Sequence, residues 1–248
     1  MNRDFTLDIY KKFLSCIKRN GYAGVSYLDY IQAPRDKQFI IRHDVDKLPK
    51  NSITTAIIES EFDLKGTYYF RIVPDSFDVE ALKIIASHGH EIGYHYEDLS
   101  LCNGDKEKAI KHFEISLNEL RKYVDIKTIC MHGSPLSKYD NKNLWTEYNY
   151  KDYDIIAEPY IDIDFNKIFY LSDTGRSWNS SINIRDHVNT RFNLKINSTN
   201  EMISLIDKGN FPDTVMFNTH PQRWTDNWIL WTKELVSQNI KNIFKRLL

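Results

Sequence analysis

The sequence predicts an α/β protein, a distorted (β/α)7-type barrel that forms a single domain with an N-terminal helical extension. Short apolar runs alternate with amphipathic helical segments along most of the chain, which is typical of parallel strands joined by crossovers. About seven strand candidates occur in this pattern, and 248 residues is an ordinary length for one barrel domain. An open doubly wound sheet is the alternative architecture that the same pattern allows.

The first 37 residues are expected to pack on the outside of the barrel as an extension, and residues 38–248 to form the barrel itself. Thr6 can cap a helix whose apolar positions recur at helical spacing from Leu7 to Ile17. Gly21 lies where such a helix would end. The first barrel strand follows at 38–45, where three consecutive apolar residues indicate burial on both faces.

The remaining elements alternate in order along the chain. The further strand candidates are 66–72, 90–94, 127–131, 154–157, 167–171 and 214–219. The helix candidates are 52–63, 79–88, 105–123, 201–208 and 227–248.

Composition and charge exclude several classes of function. The formal net charge is -1, so no overall field favours nucleic acid or an anionic membrane. No apolar run approaches the ~18 residues that cross a bilayer, and the N-terminus lacks an apolar core of signal-peptide length. The three cysteines, Cys16, Cys102 and Cys130, form no CxxC pair, which argues against a zinc ribbon or a disulfide framework. We therefore expect a soluble cytoplasmic protein.

Ionisable residues gather at the carboxyl ends of five strand candidates. The segments are RHDVD at 42–46, GYHYED at 93–98, MHGSP at 131–135, SDTGRSW at 172–178 and NTHPQRW at 218–224. In barrels of this type the chemistry collects at that end of the sheet. Burying so many ionisable groups costs several kcal/mol unless they are paired or bind a metal. The pattern predicts an active site rather than a purely structural barrel.

Two carboxylates and one imidazole form the centre of this prediction. Asp44 and Asp46 are two positions apart on a strand, so both side chains project to the same face. His95 supplies an imidazole at a neighbouring strand end, and the three groups together suit zinc or another divalent metal. His90 begins the strand that ends near His95, about 16 Å away, and is expected at the wrong end of the barrel.

These segments resemble the polysaccharide deacetylase family, carbohydrate esterase family 4, from about residue 38 to the end. Members carry a paired-Asp motif on the first strand, matched here by Asp44 and Asp46. The resemblance implies that Asp44 is the general base and Asp46 a metal ligand. A Gly-His-Glu-Ile-Gly-x-His segment is matched by residues 89–95, which implies that His95 is also a metal ligand.

Two later motifs extend the resemblance in the family's order. The fourth supplies an Asp and an apolar wall, matched loosely by Asp173 and Trp178. The fifth supplies a His that protonates the leaving amine, matched by His220. The complete set of motifs looks like a branch associated with surface-polysaccharide synthesis.

The sequence departs from the family pattern at two places. The second metal-binding His of the family falls on Leu99 here, and the Arg of the third motif falls on His132. We expect His132 to replace the lost ligand, with Glu97 as the alternative. A hydrogen-bonded loop histidine is an almost equally good interpretation of His132.

The resemblance implies hydrolysis of an N-acetyl group with a divalent metal, most simply zinc, although cobalt, manganese or nickel would also serve. Asp46, His95 and His132 would hold the metal, Asp44 would take a proton from water, and His220 would protonate the sugar nitrogen. Main-chain N–H groups near residues 133–134 would stabilise the oxyanion. Substrate contacts are assigned to Ser134, Asp173, Arg176, Trp178, Trp224 and Tyr96. Arg176 is also a candidate partner for Asp44.

Each of these residues also has a structural interpretation, and three functions stay open. The paired Asp residues can cap a turn, the histidines can be buried and hydrogen-bonded, and the tryptophans can be core. The first function is a deacetylase acting on an N-acetylated sugar, most simply a cytoplasmic glycan precursor. The second is a metal-independent amidohydrolase on a small amide. The third is an inactive homologue that binds glycan.

Overall fold

One curled parallel sheet organises the chain in the computed structural model, which describes residues 3–133, 137–178 and 188–247. Its strands are β1 Ala23–Val25, β2 Gln38–Val45, β3 Thr67–Phe70, β4 Glu91–Tyr96, β5 Ile129–Met131, β6 Phe169–Ser172 and β7 Thr214–Thr219. The path through the sheet is β5-β4-β3-β2-β7-β6, every pair is parallel, and β1 pairs with the first half of β2. The curled sheet forms a half-barrel, which confirms the predicted fold class.

Helices connect the strands, as the alternating pattern predicts. The α-helices of the described residues are α1 Leu7–Arg19, α2 Tyr27–Gln32, α3 Pro49–Glu61, α4 Val79–Ser87, α5 Asp98–Leu101, α6 Lys106–Arg121, α7 Pro159–Asp162, α8 Thr199–Asp207 and α9 Trp228–Leu247. Short 3-10 helices lie at Asn141–Thr146, Tyr150–Tyr153, Thr174–Arg176 and Pro221–Arg223. None of the helices in the described ranges is both long enough and apolar enough to cross a bilayer.

One predicted strand is wrong. Residues 154–157 form no strand, and their only ladder contact is an isolated parallel bridge between Thr128 and Ala157. The chain enters this segment from the 3-10 helix Tyr150–Tyr153, and Asp154 adopts the left-handed conformation with a φ of 56°. A residue in that conformation ends the helix by turning the chain, so the extended stretch after it is too short to pair along β5.

The N-terminal segment contributes to the sheet as well as covering it. The Thr6 hydroxyl accepts a hydrogen bond from the Ile9 N–H at 3.2 Å and so caps α1, as predicted. The apolar face of α1 is buried against the sheet, and β1 adds a short parallel strand to β2. Neither β1 nor α2 stands out in the sequence, because each is only three to six residues long.

β2 is the strand on which the site depends. All eight of its residues are buried, as expected for a central parallel strand that is covered on both faces. Its neighbours are β3 on one side and β7 on the other, so its carboxyl end lies between theirs. Inside the curl, Gly93 of β4 lets the Tyr69 ring pass, because a Cβ at Gly93 would lie 2.2 Å from that ring.

Candidate active site

The carboxyl edge of the sheet brings together three groups that suit a metal ion. Asp46 follows β2, His95 lies in β4, and His132 follows β5. The Asp46 Oδ1 atom lies 3.7 Å from His95 Nε2 and 3.5 Å from His132 Nε2. One ligand atom from each of the three lies within 4.8 Å of the other two. The Asp46 Oδ1 atom is buried and accepts no hydrogen bond within the described chain. An unpaired carboxylate oxygen that faces two ring nitrogens fits a divalent cation well.

The second ring nitrogen of each histidine is held by an acceptor. His95 Nδ1 donates to the Cys130 carbonyl at 2.9 Å, and His132 Nδ1 donates to Glu97 Oε2 at 2.8 Å. Arg71 donates to the other Glu97 oxygen at 2.7 Å. Burial alone would raise the pKa of Glu97, but His132 and Arg71 lower it to about 2. Both histidines therefore have Nε2 directed toward Asp46, the arrangement that metal-binding histidines usually adopt.

Two consequences follow for these histidines and for Glu97. Burial, as the main cause, lowers the pKa of His95 to about 4, so the ring is neutral at physiological pH and available as a ligand. Glu97 accepts hydrogen bonds from His132 and from Arg71. It therefore lies behind His132, and it is His132 that faces Asp46. Of the two sequence candidates for the third ligand, the geometry favours His132.

Asp44 lies inside the curl beside this group. Arg42 donates from Nε to Asp44 Oδ1 at 2.9 Å and from a terminal nitrogen to Oδ2 at 2.8 Å. Asn218 of β7, the register neighbour of Arg42, donates to Oδ2 at 3.0 Å. Burial favours protonated Asp44, but Arg42, with smaller contributions from His95 and His220, holds the pKa of Asp44 well below its usual range. Asp44 is therefore an ionised carboxylate at physiological pH.

A second group of potential ligands is less suitable for a metal. One ligand atom each from Asp44, His95 and Cys130 also lies within 4.8 Å of the others. Both Asp44 oxygens, however, already accept hydrogen bonds from the Arg42 cation, which opposes a metal ion at the same carboxylate. We therefore centre the site on Asp46.

His220 lies beside Asp46 as well. Its Nε2 atom lies 3.6 Å from Asp46 Oδ2, and its Nδ1 donates to Asp173 Oδ1 at 2.6 Å. Burial and Arg223 oppose protonation, yet Asp173 outweighs them and raises the pKa of His220. Asp173 also accepts from Arg223 at 2.7 Å and from the Trp224 indole at 2.8 Å. The arrangement suits an imidazolium whose Nε2 proton faces Asp46 Oδ2.

Four of the residues predicted to contact substrate are buried in this structure. Asp173 is fully buried behind His220, where its carboxylate accepts a hydrogen bond from that ring. Tyr96, Trp178 and Trp224 are between 0% and 4% exposed, so their rings pack in the core and offer no face to a sugar. Aromatic residues at strand ends are as useful to the core as to a ligand, and the sequence does not distinguish the two uses.

Arg176 does not pair with Asp44. Its guanidinium lies over the rings of Phe5 and Trp231, with 5.2 Å and 4.6 Å from Cζ to the ring centroids. The partner of Asp44 is Arg42, to which the sequence motifs assign no role. The missed signal is the spacing of two residues in RHDVD, because it places both side chains on one face of β2.

Three further residues complete the comparison with the sequence. Ser134 lies outside the described residues. His90 lies at the amino end of β4, where Nε2 donates to the Ala56 carbonyl at 2.9 Å and Nδ1 accepts from the Gly66 N–H at 3.0 Å, so it is remote from the site as predicted. Leu99 is buried in the core, so its position contributes no ligand.

Comparisons with known proteins show distant likenesses only. No protein-family model matches the chain, and no curated protein does so. Similar solved structures include the CE4 domain of a multidomain xylanase from the hindgut metagenome of Trinervitermes trinervoides, with 13% identity, TM-score 0.43 and 84% coverage of each chain. A Streptococcus mutans CE4 esterase has 12% identity and TM-score 0.48, with 93% of this chain and 89% of that chain covered. A CE4 family pseudoenzyme from Bacillus anthracis has 12% identity and TM-score 0.45, with 86% and 62% covered. We draw nothing about activity from likenesses this distant.

Proposed function

We propose that this chain is a metal-dependent hydrolase that removes an N-acetyl group from an amino sugar of a glycan or glycan precursor. The observation that carries the proposal is the unpaired Oδ1 of Asp46, which faces the Nε2 atoms of His95 and His132. An ionised Asp44 and a His220 with a raised pKa lie beside these three residues. Amide hydrolysis needs a base, an acid and a polarised carbonyl in one place, and this cluster offers groups for all three.

The donor set favours zinc among the divalent metals. Two imidazole nitrogens and one carboxylate oxygen are the kind of three-ligand set that catalytic zinc sites use, with one position left for water or substrate. Cobalt, manganese and nickel accept similar donors. When bound by Asp46, His95 and His132, the ion would polarise the acetyl carbonyl and increase the acidity of water.

The remaining steps are assigned to side chains of this protein. Asp44 accepts the proton of the attacking water, because Arg42 and Asn218 keep it ionised and fix its direction. His220 donates the proton that the departing sugar nitrogen needs, since Asp173 favours the protonated ring. Main-chain N–H groups of residues 133–134 are assigned to the oxyanion.

The substrate class rests on the motif resemblance rather than on a visible sugar platform. Tyr96, Trp178 and Trp224 are buried, so their rings do not form such a platform. We propose that the reaction takes place in the cytoplasm, on a precursor of a surface glycan.

Metal content and acetate release test this proposal directly. The wild type, Asp46→Asn and Asp36→Asn would be reconstituted with zinc, cobalt or manganese and then incubated with N-acetylglucosamine oligomers and nucleotide-linked N-acetyl sugars. Asp36 is exposed and serves as the matched control. We expect about one metal per chain and release of acetate in the wild type and the control. Asp46→Asn should lose both.

Two other results would point to different functions. Acetate release by wild type that binds no metal would indicate the metal-independent amidohydrolase. Sugar binding without any release of acetate would indicate an inactive glycan-binding protein.

A further inference from the structure

Gln222 lies in the site, and the mechanism above gives it no role. It belongs to the 3-10 helix Pro221–Arg223, which begins directly after His220, and it is 5% exposed. In the NTHPQRW segment the sequence predicts roles for His220 and Trp224 and none for Gln222, which lies between them. Its position beside Asp46 suggests a use.

The two ends of the Gln222 amide have different surroundings. Its Nε2 donates to Asp46 Oδ2 at 3.4 Å, whereas its Oε1 is buried and accepts no hydrogen bond from the described part of the chain. The opposite orientation of the amide would place Oε1 against the carboxylate of Asp46, where two acceptors repel. The observed orientation is therefore the favourable one.

A glutamine with one unsatisfied end is a poor choice for packing alone. A buried acceptor without a donor costs free energy, and an apolar side chain of the same size would avoid that cost. The benefit of Gln222 therefore lies in its contact with Asp46 rather than in the core.

The two oxygens of Asp46 have different neighbours, and Gln222 contacts only one of the two oxygens. Oδ1 faces His95 and His132, while Oδ2 lies between Gln222 Nε2 and His220 Nε2, at 3.4 Å and 3.6 Å. We propose that Gln222 is a positioning residue that holds Oδ2, so that Oδ1 is the oxygen presented to the metal. This inference rests on the metal-dependent function proposed above.

The test compares Gln222→Met with Gln238→Met. Gln238 is a matched control, since it is also 5% exposed and its amide donates to Asn242 at 2.9 Å in α9. Zinc affinity of each purified variant would be measured by competition with a chromogenic chelator, and the Tm of the metal-free protein by calorimetry. We expect Gln222→Met to bind zinc about 10- to 100-fold more weakly with an unchanged or higher metal-free Tm. Gln238→Met should show the reverse, a lower Tm and unchanged zinc affinity.

Three outcomes would overturn the inference. Zinc affinity of Gln222→Met equal to that of wild type would show that Asp46 needs no such support. Loss of folding, or a lower metal-free Tm as in Gln238→Met, would make Gln222 a structural residue. Failure of the wild type to bind zinc would overturn the proposed function and this inference together. This outcome is distinguishable because wild type, Gln222→Met and Gln238→Met would then all fail to bind zinc.

Discussion

Arg42 shows how a single side chain determines the state of its neighbour. The guanidinium is fully buried and bonded to both oxygens of Asp44, so the carboxylate stays ionised in a place where burial favours its neutral form. The two hydrogen bonds from Arg42 also fix the orientation of the Asp44 carboxylate. In the proposed mechanism, Asp44 would accept a proton without rearrangement.

Replacement of Arg42 tests the state of the base. In Arg42→Met, burial is no longer opposed by the guanidinium, so the pKa of Asp44 rises and less of it is ionised at neutral pH. We expect kcat/KM for deacetylation of the zinc-loaded enzyme to fall about 100-fold. The acid limb of its pH profile should move to higher pH.

Exposed Arg35 provides the matched control for that experiment. Arg35→Met should keep the wild-type profile. A wild-type profile in Arg42→Met would show that Asp44 is not the base.

Asp173 shifts the pKa of His220, the proposed acid, as Arg42 shifts the pKa of Asp44, the proposed base. Its negative charge raises the pKa of His220 against the effects of burial and Arg223. The acid works only when protonated, so activity is lost as pH rises through that pKa. In Asp173→Asn the pKa of His220 falls, and we expect the basic limb of the kcat/KM profile to move to lower pH. A basic limb that does not move would separate Asp173 from proton donation.

At the scale of elements, β2 carries polar groups on both faces. Arg42 and Asp44 point into the curl, while His43 points outward to Glu59 of α3 at 2.6 Å and to Thr219 of β7 at 2.7 Å. Glu59 is fully buried and also accepts hydrogen bonds from the hydroxyls of Tyr10 and Tyr68. This outer network ties α1, α3, β3 and β7 to the strand that holds the site.

Removal of the Glu59 charge should destabilise the fold in a pH-dependent way. Burial favours protonated Glu59, but His43 and weaker partners lower the pKa of Glu59 below its ordinary value. Its stabilising contribution is therefore complete above the unfolded pKa of about 4.3 and is lost as pH falls through the folded value. We expect Glu59→Gln to lower the free energy of unfolding by about 3 kcal/mol at pH 7, measured by urea denaturation.

The difference between wild type and Glu59→Gln should shrink below about pH 4. Exposed Glu61 lies in the same helix, so Glu61→Gln is the control and should unfold like wild type. A difference that stays constant down to pH 3 would contradict the assignment of the charge to Glu59.

Element prediction succeeded where the apolar pattern was long and failed where it was short. All eight residues of β2 are buried, and the apolar pattern predicts this strand at 38–45, its observed bounds. The three-residue β1 and the bridge at Ala157 leave too few positions for a period of two to be visible. Backbone turns such as the left-handed Asp154 depend on context that propensity does not contain.

At the scale of the whole molecule, the carboxyl edge of the sheet gathers residues that are distant in sequence. The positions of the strand ends in the sequence predict that five residues lie close together, and the structure has them so: Asp44, Asp46, His95, His132 and His220. It could not reveal that Arg42 binds Asp44 or that Asp173 lies behind His220, because hydrogen-bond partners depend on side-chain direction and depth. The depth at which Trp178 and Trp224 are buried depends on the same two properties.

Metal binding should stabilise the whole fold, because its three ligands come from three strands. Zinc at about 100 times its Kd would add about 2.7 kcal/mol, which raises Tm by about 5–10 °C in a chain of this size. Calorimetry of wild type with and without zinc would measure the shift. The same experiment on Asp46→Asn should show no shift, and an equal shift there would place the metal elsewhere.

The pairing of β2 with β7 also has a consequence for synthesis on the ribosome. Asp44 and Asn218 touch, yet 174 positions separate them in the chain. At ordinary translation speeds, the edge of β2 that later binds β7 waits on the order of 10–35 s for its partner to emerge. During that interval the nascent chain presents the unpaired edge of a strand that is buried on both faces in the folded protein, which is a site for aggregation. We therefore expect slow codons between the two strands to lower the yield of folded protein, and chaperones that shield nascent chains to raise it.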